Sequence, residues 1–274
     1  MKKVYVTFGG RAYDATLKNI SEQAVPLGAD ECWIYDDAWL ERQPFRKLNR
    51  WAWDHPGSNG ARYGYGWYCW KPFIIQHALA RLKAGDVLLW TDADTYPIAD
   101  FSRLFDYCAR ENGFFLFAAC GCTNRQYVKR DCFRVIDPLG AISPDTVHAT
   151  ARFMLFQKGR WSIEQFLTEW LAYVLNPLCP TRDPSVLAAE NEGFLENRGD
   201  QSVFSLLAHK YGLPLHREAD AFGLADPSDW DLYPQLFTQE YCAGDRNDLS
   251  GSRYATNHQF VAQVEGPSSR AHVE

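Results

Sequence analysis

The sequence predicts an α/β fold whose central sheet is mainly parallel and flanked by helices, and three observations carry that expectation. The chain begins strand, helix, strand by pattern, an order that favours parallel strands joined by a right-handed crossover. Apolar runs at residues 87–91, 114–119 and 151–156 have strand length and lie between segments of helical character. Hydrophobic residues make up 46% of the 274-residue chain, enough to build a sizeable core.

Taken in order, residues 4–8 form a β-rich run that stops at Gly9-Gly10. Ala15, Leu17, Ile20 and Ala24 then recur at helical spacing, until Pro26 and Gly28 end the helix. Residues 32–35 read as a second strand that ends at Asp36-Asp37. Residues 51–68 read as an aromatic loop, with Gly57, Gly60, Gly64 and Gly66 set among Trp, Tyr and Arg, and Tyr63 and Tyr65 suit a lid over a ligand. Pro72 suits the first turn of a helix that continues through Leu82. After the strand at 87–91 come a loop and helix over 97–112, a strand at 114–119, and an irregular stretch over 120–148. A strand at 151–156 is followed by Ser162 and Gln165, which read as a capping box opening a helix whose apolar face holds Phe166, Trp170, Leu171 and Val174. Residues 176–199 read as a long loop, and Asp200 reads as the N-cap of a helix that Gly212 ends. No repeat or linker divides the chain, so residues 1–260 are expected to form one domain and 261–274 a flexible tail.

Composition narrows the function. A formal net charge of -6 argues against binding nucleic acid through a basic face. No run approaches the roughly 18 apolar residues of a membrane span, and the apolar start is too short for a signal peptide. The eight cysteines lack the spacing of a disulfide framework and are expected to be reduced, which points to the cytoplasm. Among them, Cys120, Cys122 and Cys132 have poor spacing for structural zinc. Aromatic residues reach 15%, a level that suits a carbohydrate or nucleotide ligand, although most will simply pack in the core.

The most informative stretch is Val87-Leu88-Leu89-Trp90-Thr91-Asp92-Ala93-Asp94. A short apolar run ends in two carboxylates spaced two apart, which point the same way if the segment stays extended. Their repulsion calls for a cation, and Mg²⁺ or Mn²⁺ suits because it takes carboxylate oxygens and keeps positions for phosphate oxygens. The plainer reading is a solvated turn after a strand, where Asp is common.

Three local matches resemble the GT-A glycosyltransferases, which use nucleotide-sugar donors. They are Trp90-Thr91-Asp92-Ala93-Asp94, then Gly66-Trp67-Tyr68-Cys69-Trp70-Lys71-Pro72-Phe73-Ile74-Ile75, which is similar to a segment of bacterial polysaccharide-type transferases, and Arg198-Gly199-Asp200-Gln201-Ser202 before a late helix. The resemblance implies a single GT-A-like, Rossmann-type domain, with a nucleotide-sugar half over about 1–115 and an acceptor half over about 116–260. It implies Mn²⁺ or Mg²⁺ held by Asp92, Asp94 and a late histidine, for which His258 is best placed, and a nucleotide-sugar donor, a UDP-sugar first among them. Phe8, Gly9, Asp36, Lys71 and Asp92 are then expected near the donor, with Lys71 facing the diphosphate, and Asp200 and Gln201 near the reacting sugar. Asp200 is the candidate general base. The acceptor is expected to be a glycan or glycolipid hydroxyl in cell-surface glycan synthesis, reached by a protein with no spanning segment but compatible with peripheral membrane contact. Two rivals remain. A haloacid-dehalogenase-like phosphatase also uses Asp-x-Asp after a strand, but its motif continues differently from Thr95-Tyr96. A non-catalytic sugar-binding module would explain the aromatics but not the paired acids.

Overall fold

The computed structural model describes residues 1–58, 65–226, 228–229 and 231–239. The first half contains β1 (Lys3–Phe8), α1 (Asp14–Gln23), β2 (Glu31–Tyr35), the short helices α2 (Asp37–Glu41), α3 (Pro44–Leu48) and α4 (Trp51–Asp54), then α5 (Trp70–Ala80), β3 (Val87–Asp92), β4 (Thr95–Pro97) and α6 (Ser102–Arg110). The second half contains β5 (Phe114–Thr123), α7 (Asn124–Tyr127), α8 (Arg130–Ile136), β6 (Val147–Gln157), α9 (Trp161–Val174), α10 (Asp200–Lys210), β7 (Leu215–His216) and β8 (Phe237–Gln239).

Six strands form one sheet in the order β2-β1-β3-β6-β5-β7, and β4 pairs with β8 in a separate ribbon. β1 is parallel to β2 and β3, and β7 to β5, while β6 runs antiparallel to both its neighbours. The fold class is therefore the α/β arrangement expected, with one reversed strand in a mainly parallel sheet. Strand side chains alternate between faces, and two cores follow from that. Val4, Val6, Leu88, Trp90, Met154 and Phe156 pack on one face with side chains of α5, α9 and α10. Tyr5, Val87, Leu89, Phe153 and Leu155 pack on the other with side chains of α1 and α6. Burial on both faces is why the strands read as continuous apolar runs rather than as alternating ones.

Several expectations need correction. Residues 120–148 are largely ordered: β5 extends to Thr123, and Thr123 and Gln126 form a reciprocal capping box for α7. The pattern hid this because helices of four and seven residues are too short to show a period. Residues 51–58 include α4 and a single tight turn rather than loop alone. No capping box starts α9, since Arg160 is its N-cap and Ser162 already lies inside the helix. Asp200 is not an N-cap: Gly199 is, at φ 59° and ψ -126°, and Asp200 is the first residue of α10. The other end of that helix is as expected. Gly212, at φ 62°, donates to His209 O while Leu213 donates to Ala208 O, which satisfies the last carbonyls.

Candidate active site

β1, β2 and β3 end abreast, with Phe8 in register with both Tyr35 and Asp92. This carboxyl edge is where open α/β sheets accept ligands. The reversed strand β6 delivers its early residues, Ala151 and Arg152, to the same edge, because Phe153 is paired with Thr91.

Asp92 is the last residue of β3, and the chain turns before β4 starts at Thr95. Strand alternation therefore does not extend to Asp94. The turn places it instead, and two donors fix it: Thr95 Oγ1 at 2.9 Å from Oδ1 and Gln239 Nε2 at 2.7 Å from Oδ2. Burial raises the Asp94 carboxyl above its usual range, and the nearby Asp92 charge adds to that, with Arg152, Gln239 and Thr95 opposing. Asp92 remains a third exposed and accepts from Trp90 Nε1 at 3.1 Å on Oδ1.

Lys71 lies in the first turn of α5 and is buried. Its Nζ is 2.9 Å from Ala151 O, 2.9 Å from Asp92 Oδ1 and 3.1 Å from Asp200 Oδ2. Burial disfavours the ammonium, but Asp200 and Asp92 outweigh it and hold the lysine protonated. Lys71 is thus a buried, ion-paired lysine and not a surface one. Asp200 is buried, and the contact to Lys71 lacks hydrogen-bond alignment, so Oδ2 has no hydrogen-bond partner. Desolvation moves the Asp200 carboxyl up to about 6; Lys71 opposes this and Asp92 reinforces it. One cation shared between two acids cannot fully compensate both, and the more deeply buried acid bears the cost.

The remaining expected residues fall into place unevenly. Gln201 follows Asp200 in α10, and its Nε2 is buried without a hydrogen-bond partner. Phe8 is buried against the Trp70 ring at 4.1 Å between centroids. Gly9 lies against the acid-bearing turn: a Cβ there would come 2.7 Å from Ala93 Cβ. Asp36 stands at the same edge, but its Oδ1 caps α2 by accepting from Trp39 N at 2.6 Å, so that oxygen serves the fold. His258 and Tyr63 lie outside the described residues.

Sequence reasoning missed several residues of this neighbourhood. Arg152 is buried and paired with Asp220 and, at 3.2 Å, with Glu218 Oε1. An arginine inside the apolar run 151–156 was a readable signal of a buried ion pair. Gln239 and the Ala151 carbonyl gave no signal, because only the pairing of distant segments brings them here. The approach to Lys71 is also unusual. Gly66, Trp67 and Tyr68 are all left-handed, at φ 60°, 53° and 57°. Two bulky residues in that region cost on the order of 1–3 kcal/mol each, and such strain clusters at functional sites.

No family model and no curated protein matches the chain. Among solved structures it is similar to the apo form of WbbM, a bifunctional glycosyltransferase, at 14% identity and TM-score 0.42, over 64% of this chain and 35% of that one. It is similar to the apo form of mouse xyloside xylosyltransferase 1 at 12% identity and TM-score 0.47, over 88% of this chain and 98% of that one. It is similar to the apo form of the glycosyltransferase GlyE from Streptococcus pneumoniae at 12% identity and TM-score 0.47, over 96% of this chain and 60% of that one. The chain thus spans 35% of the length of WbbM and 60% of GlyE. Likeness at these identities and TM-scores concerns the arrangement of strands and helices and assigns no chemistry to the residues above.

Proposed function

We propose that the chain is a metal-dependent glycosyltransferase, moving a sugar from a nucleotide-diphosphate donor to a hydroxyl of a glycan or glycolipid. One observation carries the reading. Asp92, at the end of a buried strand and next to Asp94 in the following turn, faces across a shared buried lysine a third carboxylate, Asp200, whose Oδ2 makes that ion pair without a hydrogen bond and whose carboxyl lies at about 6. A sugar-binding module needs no such acids, and a carboxylate at that value is poised to take a proton near neutral pH.

The residues fit a hard divalent cation. Lys71 is ion-paired with Asp92 and Asp200 but not with Asp94; burial raises the Asp94 carboxyl and the Asp92 charge adds to that, and a bound cation relieves the second of these. Among the described residues no group of three His, Cys, Asp or Glu could hold a metal, so Asp92 and Asp94 would share it with His258, donor phosphates or water. That is an ordinary arrangement for Mg²⁺, which is commonly held by one or two carboxylates plus substrate phosphates. When bound, the ion supplies charge neutralisation for the departing nucleoside diphosphate.

The chain's own residues would do the rest. Phe8, Gly9 and Asp36, at the ends of β1 and β2, border the donor nucleotide. Asp200 accepts the acceptor hydroxyl's proton in an inverting reaction, or orients donor hydroxyls in a retaining one. The Gln201 amide donates to the reacting sugar. The division into a donor half over 1–115 and an acceptor half over 116–260 belongs to the same proposal. Among the described residues no helix is long and apolar enough to cross a membrane.

The test is a panel of nucleotide sugars with Mn²⁺ or Mg²⁺, with anomeric analysis of any product and Asp94→Ala beside the wild type. The expected result is divalent-dependent turnover of one donor class, with Asp94→Ala folded but unable to bind UDP through the metal. An Asp94→Ala protein that turns over donor at the wild-type rate would remove the metal site from the reading.

A further inference from the structure

Lys71 has three N–H bonds and three oxygens within 3.1 Å, one each from β6, β3 and α10. It is 2% exposed, and its ammonium also lies 5.5 Å from the centre of the Tyr68 ring. A lysine that grips an incoming diphosphate needs an open path to it; this one is enclosed, hydrogen-bonded to a backbone carbonyl and ion-paired with two carboxylates already within 3.1 Å. The three oxygens have different origins, too. Ala151 O is a backbone atom of the sheet and cannot rotate away, so it anchors the ammonium. The two carboxylates are side chains that would otherwise repel each other and turn apart.

From this geometry we infer that Lys71 is a positioning residue that holds Asp92, at the donor end, and Asp200, at the acceptor end, in one frame, and that it does not grip the donor diphosphate. The inference rests on the transfer reading above. It replaces the diphosphate contact that the Lys71-Pro72 segment suggests by resemblance. Its physical content is a coupling: the carboxylate beside the metal and the carboxylate beside the acceptor share one buried cation, so neither can shift without loosening the other. Displacing a reacting group by about 1 Å can lower turnover on the order of 100-fold while leaving binding intact.

Lys71→Met keeps most of the length of the side chain and removes the charge. UDP affinity in the presence of Mn²⁺, read by titration calorimetry, should stay within about threefold of wild type. kcat with the donor found active in the panel should fall on the order of 100-fold or more. The Met variant leaves buried Asp200 and partly exposed Asp92 without their cation and can fail to fold, so the double variant Lys71→Met/Asp200→Asn, which removes the buried charge, is measured with Asp200→Asn alone. If Lys71 acts on turnover through Asp200, the double variant loses no more kcat than Asp200→Asn, a non-additivity that a general structural role does not produce. A loss of UDP affinity beyond about 30-fold with kcat retained makes Lys71 a diphosphate clamp and overturns the inference. Additive losses in kcat overturn it as well. Wild-type protein that neither binds UDP with Mn²⁺ nor transfers sugar overturns the transfer reading first, and this inference with it.

Discussion

Asp200 answers to two environments. Burial pushes its carboxyl up to about 6, and the Lys71 ammonium 3.1 Å away works in the opposite direction. A general base works only when deprotonated, so kcat should rise about tenfold per pH unit below about 6 and level off above it. Asp200→Asn should remove that limb and lose at least ~100-fold in turnover while still binding UDP with Mn²⁺. An unchanged acid limb in the Asn variant would place the titrating group elsewhere. Stability carries the same group with a definite sign. The folded carboxyl lies above its unfolded value, so the unfolded chain releases the proton first as pH rises. The favourable contribution is thus full below about pH 4 and is lost between about pH 4 and 6. Melting curves of wild type and Asp200→Asn should accordingly diverge in the variant's favour as pH climbs through that window. The sequence identified Asp200 as a candidate for both capping and chemistry. The fold removes the first reading, by giving the cap to Gly199, and brings the carboxylate to Lys71 instead.

At the scale of elements, the start of α10 depends on a backbone conformation that a side chain resists. Gly199, at φ 59° and ψ -126°, lies in a region that is unfavourable for other residues, although a Cβ there would meet nothing closer than ordinary contact. Gly199→Ala should cost on the order of 1–3 kcal/mol. The readout is a melting temperature lower by several degrees together with a fall in kcat, because the strain is released by moving Asp200. A variant that loses stability but keeps full turnover would show that the position of the helix start is not critical. The long elements were legible in the sequence: α1, α5, α9 and the strands β1, β2, β3 and β6 all carry a period or an apolar run of their own. α7, α8 and β8 were not, because each is too short to hold a pattern and is fixed by its neighbours. α7 is closed by its capping box, and β8 exists only as the partner of β4.

For the molecule as a whole, two long-range ties bring the C-terminal part to the site. β8 pairs with β4 and places Gln239 on Asp94 at 2.7 Å. Arg152, on β6, is buried against Glu218 and Asp220, which follow β7. Removing one partner of a buried ion cluster leaves charge without compensation, so Arg152→Met should destabilise the fold by about 3–5 kcal/mol. Chemical denaturation would measure it, and a loss below about 1 kcal/mol would mean that other groups carry the two acids. A separate measurement addresses the residue that resemblance offers as the third metal ligand. His258→Ala should raise the Mn²⁺ concentration needed for half-maximal turnover without changing the melting temperature of the metal-free protein. An unchanged Mn²⁺ requirement would assign the remaining positions to donor and water.

The sequence by itself determined the fold class, the strand that carries Asp92, and the three segments that contribute Lys71, Asp92 and Asp200. It could do so because burial and chain direction are written locally, in apolar runs, helical spacing, and the glycines and prolines that end them. What only the tertiary structure decided is who meets whom. Lys71 and Asp200 are far apart in sequence, and their contact follows from α5 and α10 packing on one face of the sheet. The reversal of β6 supplies the Ala151 carbonyl that anchors the lysine, and the turn after β3, held by Gln239, sets the direction of Asp94. These are interactions between distant segments, and their energy depends on desolvation and on the orientation of charges. Neither quantity exists until the chain has closed around them.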